Sequence, residues 1–254
     1  MNIKILIATH KNYQMPEDRQ LYLPVLVGKD LHPNINDSYQ GDNIGENISK
    51  KNGEYNELTA LYWAWKNLNA DAIGLVHYRR YFGIKHSKSL DDILTIDQVK
   101  NLFEHADVIL PKKRHYWIES NYNHYIHAHP KEPLDMARKV IMEKYPEYVK
   151  SFDATMKMRS GHILNMFIMK RVDFDAYCTW MFDILSEIER GIDTTNYSPY
   201  QRRVLGFISE RLLDVWIETN KKTKIEVPVI LLESQHWPKK IFNFIRRKFG
   251  GKKQ

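Results

Sequence analysis

Short apolar runs and helical periods alternate along this chain. Lys4–Ala8, with the apolar run Ile5-Leu6-Ile7-Ala8, ends in the polar group Thr9-His10-Lys11 and predicts a first buried strand. Leu23–Val27 predicts a second strand, and the Asn/Gly/Asp-rich stretch 34–56 reads as loop. Leu58, Leu61, Tyr62, Trp65 and Leu68 then follow the spacing of one helical face, with Asn56 placed to cap the helix and Glu57 in its first turn. Ala72–Val76 predicts a strand running straight into His77-Tyr78-Arg79-Arg80-Tyr81-Phe82. Val99, Leu102, Phe103 and Ala106 mark a helix before a strand at Val108–Pro111. Further helices are expected over 133–144, 174–190 and 201–219, with strands at Ile163–Met169 and Ile225–Leu232. Strands alternating with helices argue an α/β domain with a mostly parallel sheet flanked by helices.

At 254 residues and 43% hydrophobic, the chain is long enough for one large domain with a small appendage. The single cysteine, Cys178, excludes a disulfide scaffold and any Cys-based zinc site. It reads as a small buried side chain, and Trp63, Trp65, Trp180 and Trp216 read as core. No apolar run nears the ~18 residues needed to cross a bilayer. The first apolar segment is too short for a signal peptide, so a cytoplasmic protein is expected.

Charge changes the picture at one end. The net charge is +7, and Lys239–Gln254 holds seven Lys and Arg and no acid, so the rest of the chain is formally neutral. A neutral body argues against a nucleic-acid partner. After Trp237-Pro238, a helix at about 100° per residue puts Ile241, Phe242, Phe244, Ile245 and Phe249 on one arc, with Lys239, Lys240, Arg246 and Arg247 opposite and Lys248 at the margin. That pattern suits the interface of an anionic membrane. The expected division is therefore a folded body at 1–236 and a basic amphipathic tail at 237–254. A terminal helix docked on its own domain is the plain alternative.

In open α/β sheets, ligands bind beyond the carboxyl ends of strands. This singles out Thr9-His10-Lys11, His77-Tyr78-Arg79-Arg80 and the residues around Lys112-Lys113. Two guanidiniums and an imidazole at one strand end suit a diphosphate. Alternation along the strand would put Arg79 with His77 and Arg80 with Tyr78. His124, His127 and His129 match no standard zinc spacing, and no metal site is expected there; Tyr125 and His129 are either ordinary loop and cap residues or contacts to sugar hydroxyls. The only Asp-x-Asp, Asp173-Phe174-Asp175, opens a helix and reads as capping. Glu210, in Gly206-Phe207-Ile208-Ser209-Glu210-Arg211, is either a solvated charge pair with Arg211 or a catalytic carboxylate.

The runs Asn56–Asn67 and Ile73–Phe82 resemble a bacterial polysaccharide-biosynthesis family. So do Asn165–Met169, Tyr177-Cys178 and Gly206–Leu212. The family was long described only as a domain of unknown function and has since been assigned as galactofuranosyltransferases of capsule, exopolysaccharide and O-antigen synthesis. The resemblance covers about residues 3–232 and leaves out the basic tail. It implies a GT-A-type fold and inverting transfer of galactofuranose from UDP-galactofuranose to an undecaprenyl-linked glycan at the inner face of the cell membrane. It further implies that His77-Tyr78-Arg79-Arg80 stands where metal-using relatives carry Asp-x-Asp, so no divalent cofactor is expected. Donor contacts are then expected from Thr9, His10, Lys11, Asn56, His77, Tyr78, Arg79 and Arg80, and acceptor contacts from Tyr125, His129 and Asn165. Glu210 is the first choice for the base, with His162 and His129 behind it. A UDP-hexopyranose donor and a non-catalytic UDP- or glycan-binding accessory protein are the alternatives.

Overall fold

The computed structural model describes residues 1–35 and 38–233; the basic segment 237–254 and its expected membrane helix lie outside the described residues. Eleven strands form a large sheet and a small ribbon. They are β1 (Ile3–Thr9), β2 (Tyr22–Leu26), β3 (Gln40–Gly41), β4 (Ala72–His77), β5 (Arg80–Phe82), β6 (Val108–Pro111), β7 (Arg114–His115), β8 (Ser160–Gly161), β9 (Phe167–Lys170), β10 (Lys224–Val227) and β11 (Val229–Leu231). The helices are α1 (Asn52–Tyr55), α2 (Leu58–Asn67), α3 (Ile96–Leu102), α4 (Asn121–Ile126), α5 (Glu132–Lys144), α6 (Val149–Lys157), α7 (Arg171–Gly191) and α8 (Val204–Thr219).

The large sheet runs β10-β6-β9-β4-β1-β2-β3, with β5 and β11 branching from β4. It is mostly parallel: β1 pairs with β2 and β4 in parallel, and β6 with β10. β9 lies antiparallel between β4 and β6. Alternation in β1 explains the two cores. Leu6 and Ala8 point into the layer built by α2 and α5–α8, and Ile3, Ile5 and Ile7 into the opposite one, which holds Tyr81, Phe82 and Val99. At Gly74, a Cβ would lie 2.9 Å from Ile168 Cγ1, so only glycine lets β4 and β9 approach this closely.

Several boundaries differ from expectation. The strand predicted at 163–169 begins only at Phe167, after a turn with left-handed backbone at Leu164 (φ 83°) and Asn165 (φ 53°). Ile225–Leu232 is two strands, because Pro228 offers no N–H to continue the ladder; β10 joins β6, and β11 joins β5. Asn56 does not cap α2. Its φ of 52° ends α1, outside the extended geometry a cap needs, and Glu57 takes the cap position. The loop 34–56 carries β3 and α1, and α4 and α6 had no counterpart in the pattern. Among the described residues no helix is long and apolar enough to cross a membrane.

Candidate active site

A cleft of about 700 Å³ opens beyond the carboxyl ends of β1 and β4. Thr9 and His10 continue β1 into it; His77, Tyr78, Arg79 and Arg80 form its strand-end wall. Asn56 and Glu57 come from the junction of α1 and α2, and Arg203, Gly206, Phe207 and Glu210 from the start of α8. His32, Ile35 and Asn52 complete it from the loop segment. The fully buried Asp42 holds that segment. Its carboxylate accepts from Gly28 N (2.7 Å), Lys29 N (3.0 Å) and Ser49 Oγ (2.5 Å).

The strand does not continue past His77 as alternation assumed. Tyr78-Arg79 is a two-residue turn, and Arg80 pairs directly opposite His77 in an antiparallel ladder. Cross-strand partners share a face, so Arg80 belongs with His77 and Arg79 sits at the turn. Arg79 binds Glu233 at 2.7 Å and lies over the Tyr78 ring. Burial and the neighbouring Arg79 pull the Arg80 pKa down, against Glu210 and Glu57, which favour its charge.

His77 Nε2 donates to Leu164 O at 2.6 Å, since a carbonyl can only accept. Burial lowers its pKa, opposed by Glu57 and by that bond. A neutral imidazole with Nε2 committed offers only an acceptor at Nδ1, which does not suit phosphate. The groups left for an anion are Arg80, Arg203 and Arg79.

The acids face them. Glu210, its side chain 19% exposed, accepts from Leu164 N at 3.2 Å and lies 3.6 Å from Arg211. Desolvation raises its pKa; Arg211 opposes and Glu57 adds to the rise. Glu57 accepts from Asn165 Nδ2 at 2.7 Å. Asn165 is buried and also accepts from Ser209 Oγ at 2.9 Å. The strained turn at 164–165 therefore presents one carbonyl to His77, one N–H to Glu210 and one amide to Glu57. Across the cleft, Arg203 Nε donates to Asn56 Oδ1 at 2.6 Å. Gly206 leaves room for that pair, since a Cβ there would sit 2.1 Å from Asn56 Nδ2.

Other residues singled out in the sequence lie elsewhere. Lys11 does not line the cleft; its ammonium lies 5.2 Å from the Tyr78 ring centre. His162 is buried, with Nδ1 on Asp214 (2.5 Å) and Nε2 on Glu226 (3.1 Å), and reaches no cleft surface. His129 stacks behind Phe207 at 4.0 Å, with the buried Tyr125 beside it at 5.0 Å. His124 and His127 turn to Glu119. Asp173 pairs with Lys222 and Asp175 with Arg171, away from the cleft. Glu57, His32 and Asn52 also line the cleft although the sequence pattern does not mark them as site residues; the one signal for Glu57 is that it directly follows Asn56, a residue expected at the donor.

The family described as a domain of unknown function, DUF4422, matches residues 4–221. Among solved structures, the apo form of WbbM, described as a bifunctional glycosyltransferase, superimposes with a TM-score of 0.82 at 28% identity. The match covers 92% of this chain and 46% of that one, so the chain spans less than half of WbbM. No curated protein matches.

Proposed function

Because the chain belongs to the DUF4422 family, we propose that it is a glycosyltransferase moving galactofuranose from UDP-galactofuranose onto a lipid-linked glycan of a bacterial surface polysaccharide. One observation carries the reading: a cleft sized for a nucleotide sugar, at the carboxyl ends of β1 and β4, combining Arg79, Arg80 and Arg203 with Glu57 and Glu210. The likeness to a bifunctional glycosyltransferase supports the reaction class. The furanose donor and the undecaprenyl-linked acceptor rest on the sequence resemblance.

The acceptor hydroxyl oxygen attacks the anomeric carbon while the bond from that carbon to the UDP oxygen breaks. Glu210 takes the hydroxyl proton; its raised pKa makes it a better base than an ordinary surface glutamate. The electron pair of the broken bond leaves with UDP, whose charge Arg80 and Arg203 stabilise. Attack opposite the leaving group inverts the anomeric centre. The guanidiniums take the place of a divalent cation on the diphosphate, and Thr9 and His10 face the nucleoside. Lys11 and Tyr78 support that wall, and Asn165 acts by holding Glu57. The body works at the cytoplasmic face of the membrane, where the basic tail adds attachment.

The test is a donor panel with a lipid-linked acceptor: UDP-galactofuranose against UDP-galactopyranose and UDP-glucose. Turnover confined to the furanose donor is expected. Turnover of pyranose donors alone would overturn the donor, and UDP binding with no turnover of any donor would leave an accessory protein.

A further inference from the structure

A second surface stands at the same edge of the sheet as the cleft. β9 is antiparallel to both β4 and β6, so those two strands run the same way and end at the same edge. Two strand spacings place Pro111 about 10 Å from the line of His77. Beyond Pro111 the chain reads Lys112-Lys113-Arg114-His115-Tyr116-Trp117-Ile118.

Trp117 is 81% exposed, Ile118 61%, and Met158 beside them 40%. The β7–β8 ribbon pairs Arg114 with Gly161 and His115 with Ser160. Tyr116 N donates to Arg159 O (2.8 Å) and Asn121 N to Met158 O (2.7 Å), which joins the two segments into one patch. Lys112, Arg114, Lys157 and Arg159 are exposed around the apolar residues. Segments 112–118 and 157–161 contain no acid. The carboxylates around it are committed: Glu119 is buried against His124 and His127, Glu226 accepts from His162 and Lys113 N, Asp214 is held by His162, and Asp153 is bound by Arg138.

The loop is anchored from beneath. The Tyr116 ring is buried and stacks on His124 at 4.0 Å. Trp117 itself is held at φ 60°, a backbone conformation costly for a bulky residue. Exposing tryptophan, isoleucine and methionine at an anchored, strained turn costs stability unless the turn has a partner.

We propose that this patch is a membrane contact, with Trp117 and Ile118 entering the interface of an anionic bilayer and Lys112, Arg114, Lys157 and Arg159 meeting its headgroups. Tryptophan at the headgroup level with flanking cations is what such a surface calls for. A glycan platform would add carboxylates or amides around the tryptophan for sugar hydroxyls; this rim offers cations, and Ile118 and Met158 present no stacking face. The purpose of the contact rests on the lipid-linked acceptor proposed above, because it sets the cleft beside the bilayer. Its residues lie in 112–118 and 157–161, apart in sequence from the basic tail.

The test uses the full chain carrying Ile118→Cys with an environment-sensitive fluorophore. Cys178 is fully buried, so the label goes to position 118. On phosphatidylcholine vesicles containing phosphatidylglycerol, the label should shift to the blue and be quenched by brominated lipid, with little change on phosphatidylcholine alone. Trp117→Ser with Ile118→Ser should lower partition into anionic vesicles about tenfold while leaving thermal unfolding and UDP binding unchanged. Lys112→Glu with Arg159→Glu should lower it similarly, as a second variant untouched by apolar packing. An unchanged label spectrum on vesicles that do sediment the chain would overturn the proposal, since attachment would then lie elsewhere. Unchanged partition with reduced turnover of a water-soluble acceptor would overturn it in favour of a glycan contact. UDP binding, read separately, reports on the transferase reading alone.

Discussion

Asn165 donates its amide to Glu57 at 2.7 Å, joining the turn before β9 to the start of α2 across 108 positions of sequence. Its oxygen is occupied by Ser209, so the amide has one orientation and Glu57 has one place. Asn165→Asp sets a carboxylate against Glu57, and both lose the arrangement. We expect a loss of about 2–3 kcal/mol in stability and a fall in kcat larger than the change in KM. Chemical denaturation together with steady-state kinetics checks this, and Asn165→Gln should not restore the wild-type rate.

Gly206 is the third residue of α8, where alanine would ordinarily favour the helix by up to about 1 kcal/mol. Its Cβ would displace the Asn56 amide, which bonds Arg203. Gly206→Ala should therefore leave the melting temperature nearly unchanged and weaken UDP binding. A calorimetric affinity equal to wild type would show that the Asn56–Arg203 pair does not shape the cleft.

Glu210→Gln removes the base while keeping the acceptor for Leu164 N. Turnover should fall about 10²-fold or more with UDP affinity retained. Burial raises the Glu210 pKa, and the base must be ionised. The rate should therefore climb with pH through a midpoint above the ordinary glutamate range, and this limb should vanish in the variant.

His124 makes a stability prediction independent of activity. Burial lowers its pKa to about 4, against the hydrogen bond that its Nδ1 donates to Glu119, while an unfolded chain protonates it near 6.5. The unfolded state therefore binds more protons between these values, so stability falls as pH drops from 6.5 to 4. The loss reaches about 3 kcal/mol. His124→Gln should flatten that part of a denaturation–pH profile.

The parts of the fold legible in the sequence are those whose periodicity is local. β1, β4 and α2 each announce themselves by their own apolar spacing, and the polar ends of β1 and β4 pointed to the cleft. The direction of β9 was not legible, because alternation is the same whichever way a strand runs. The turn at Tyr78-Arg79 was hidden by the apolar Tyr81-Phe82 beyond it, which reads as a continuing strand. His32 and Asn52 were hidden within a polar loop that Asp42 folds through contacts distant in sequence. His162 looked available because nothing near it in sequence reveals Asp214 and Glu226 as its partners.

The account turns on guanidiniums receiving a diphosphate at the end of β4. The direct measurement is calorimetric titration of the full chain with UDP, once in EDTA and once with manganese, for wild type and Arg80→Ala. Equal wild-type affinity in both buffers, and a loss of about 1.5–3 kcal/mol in the variant, is the predicted result. Binding that requires manganese, or that is untouched by Arg80→Ala, would contradict it.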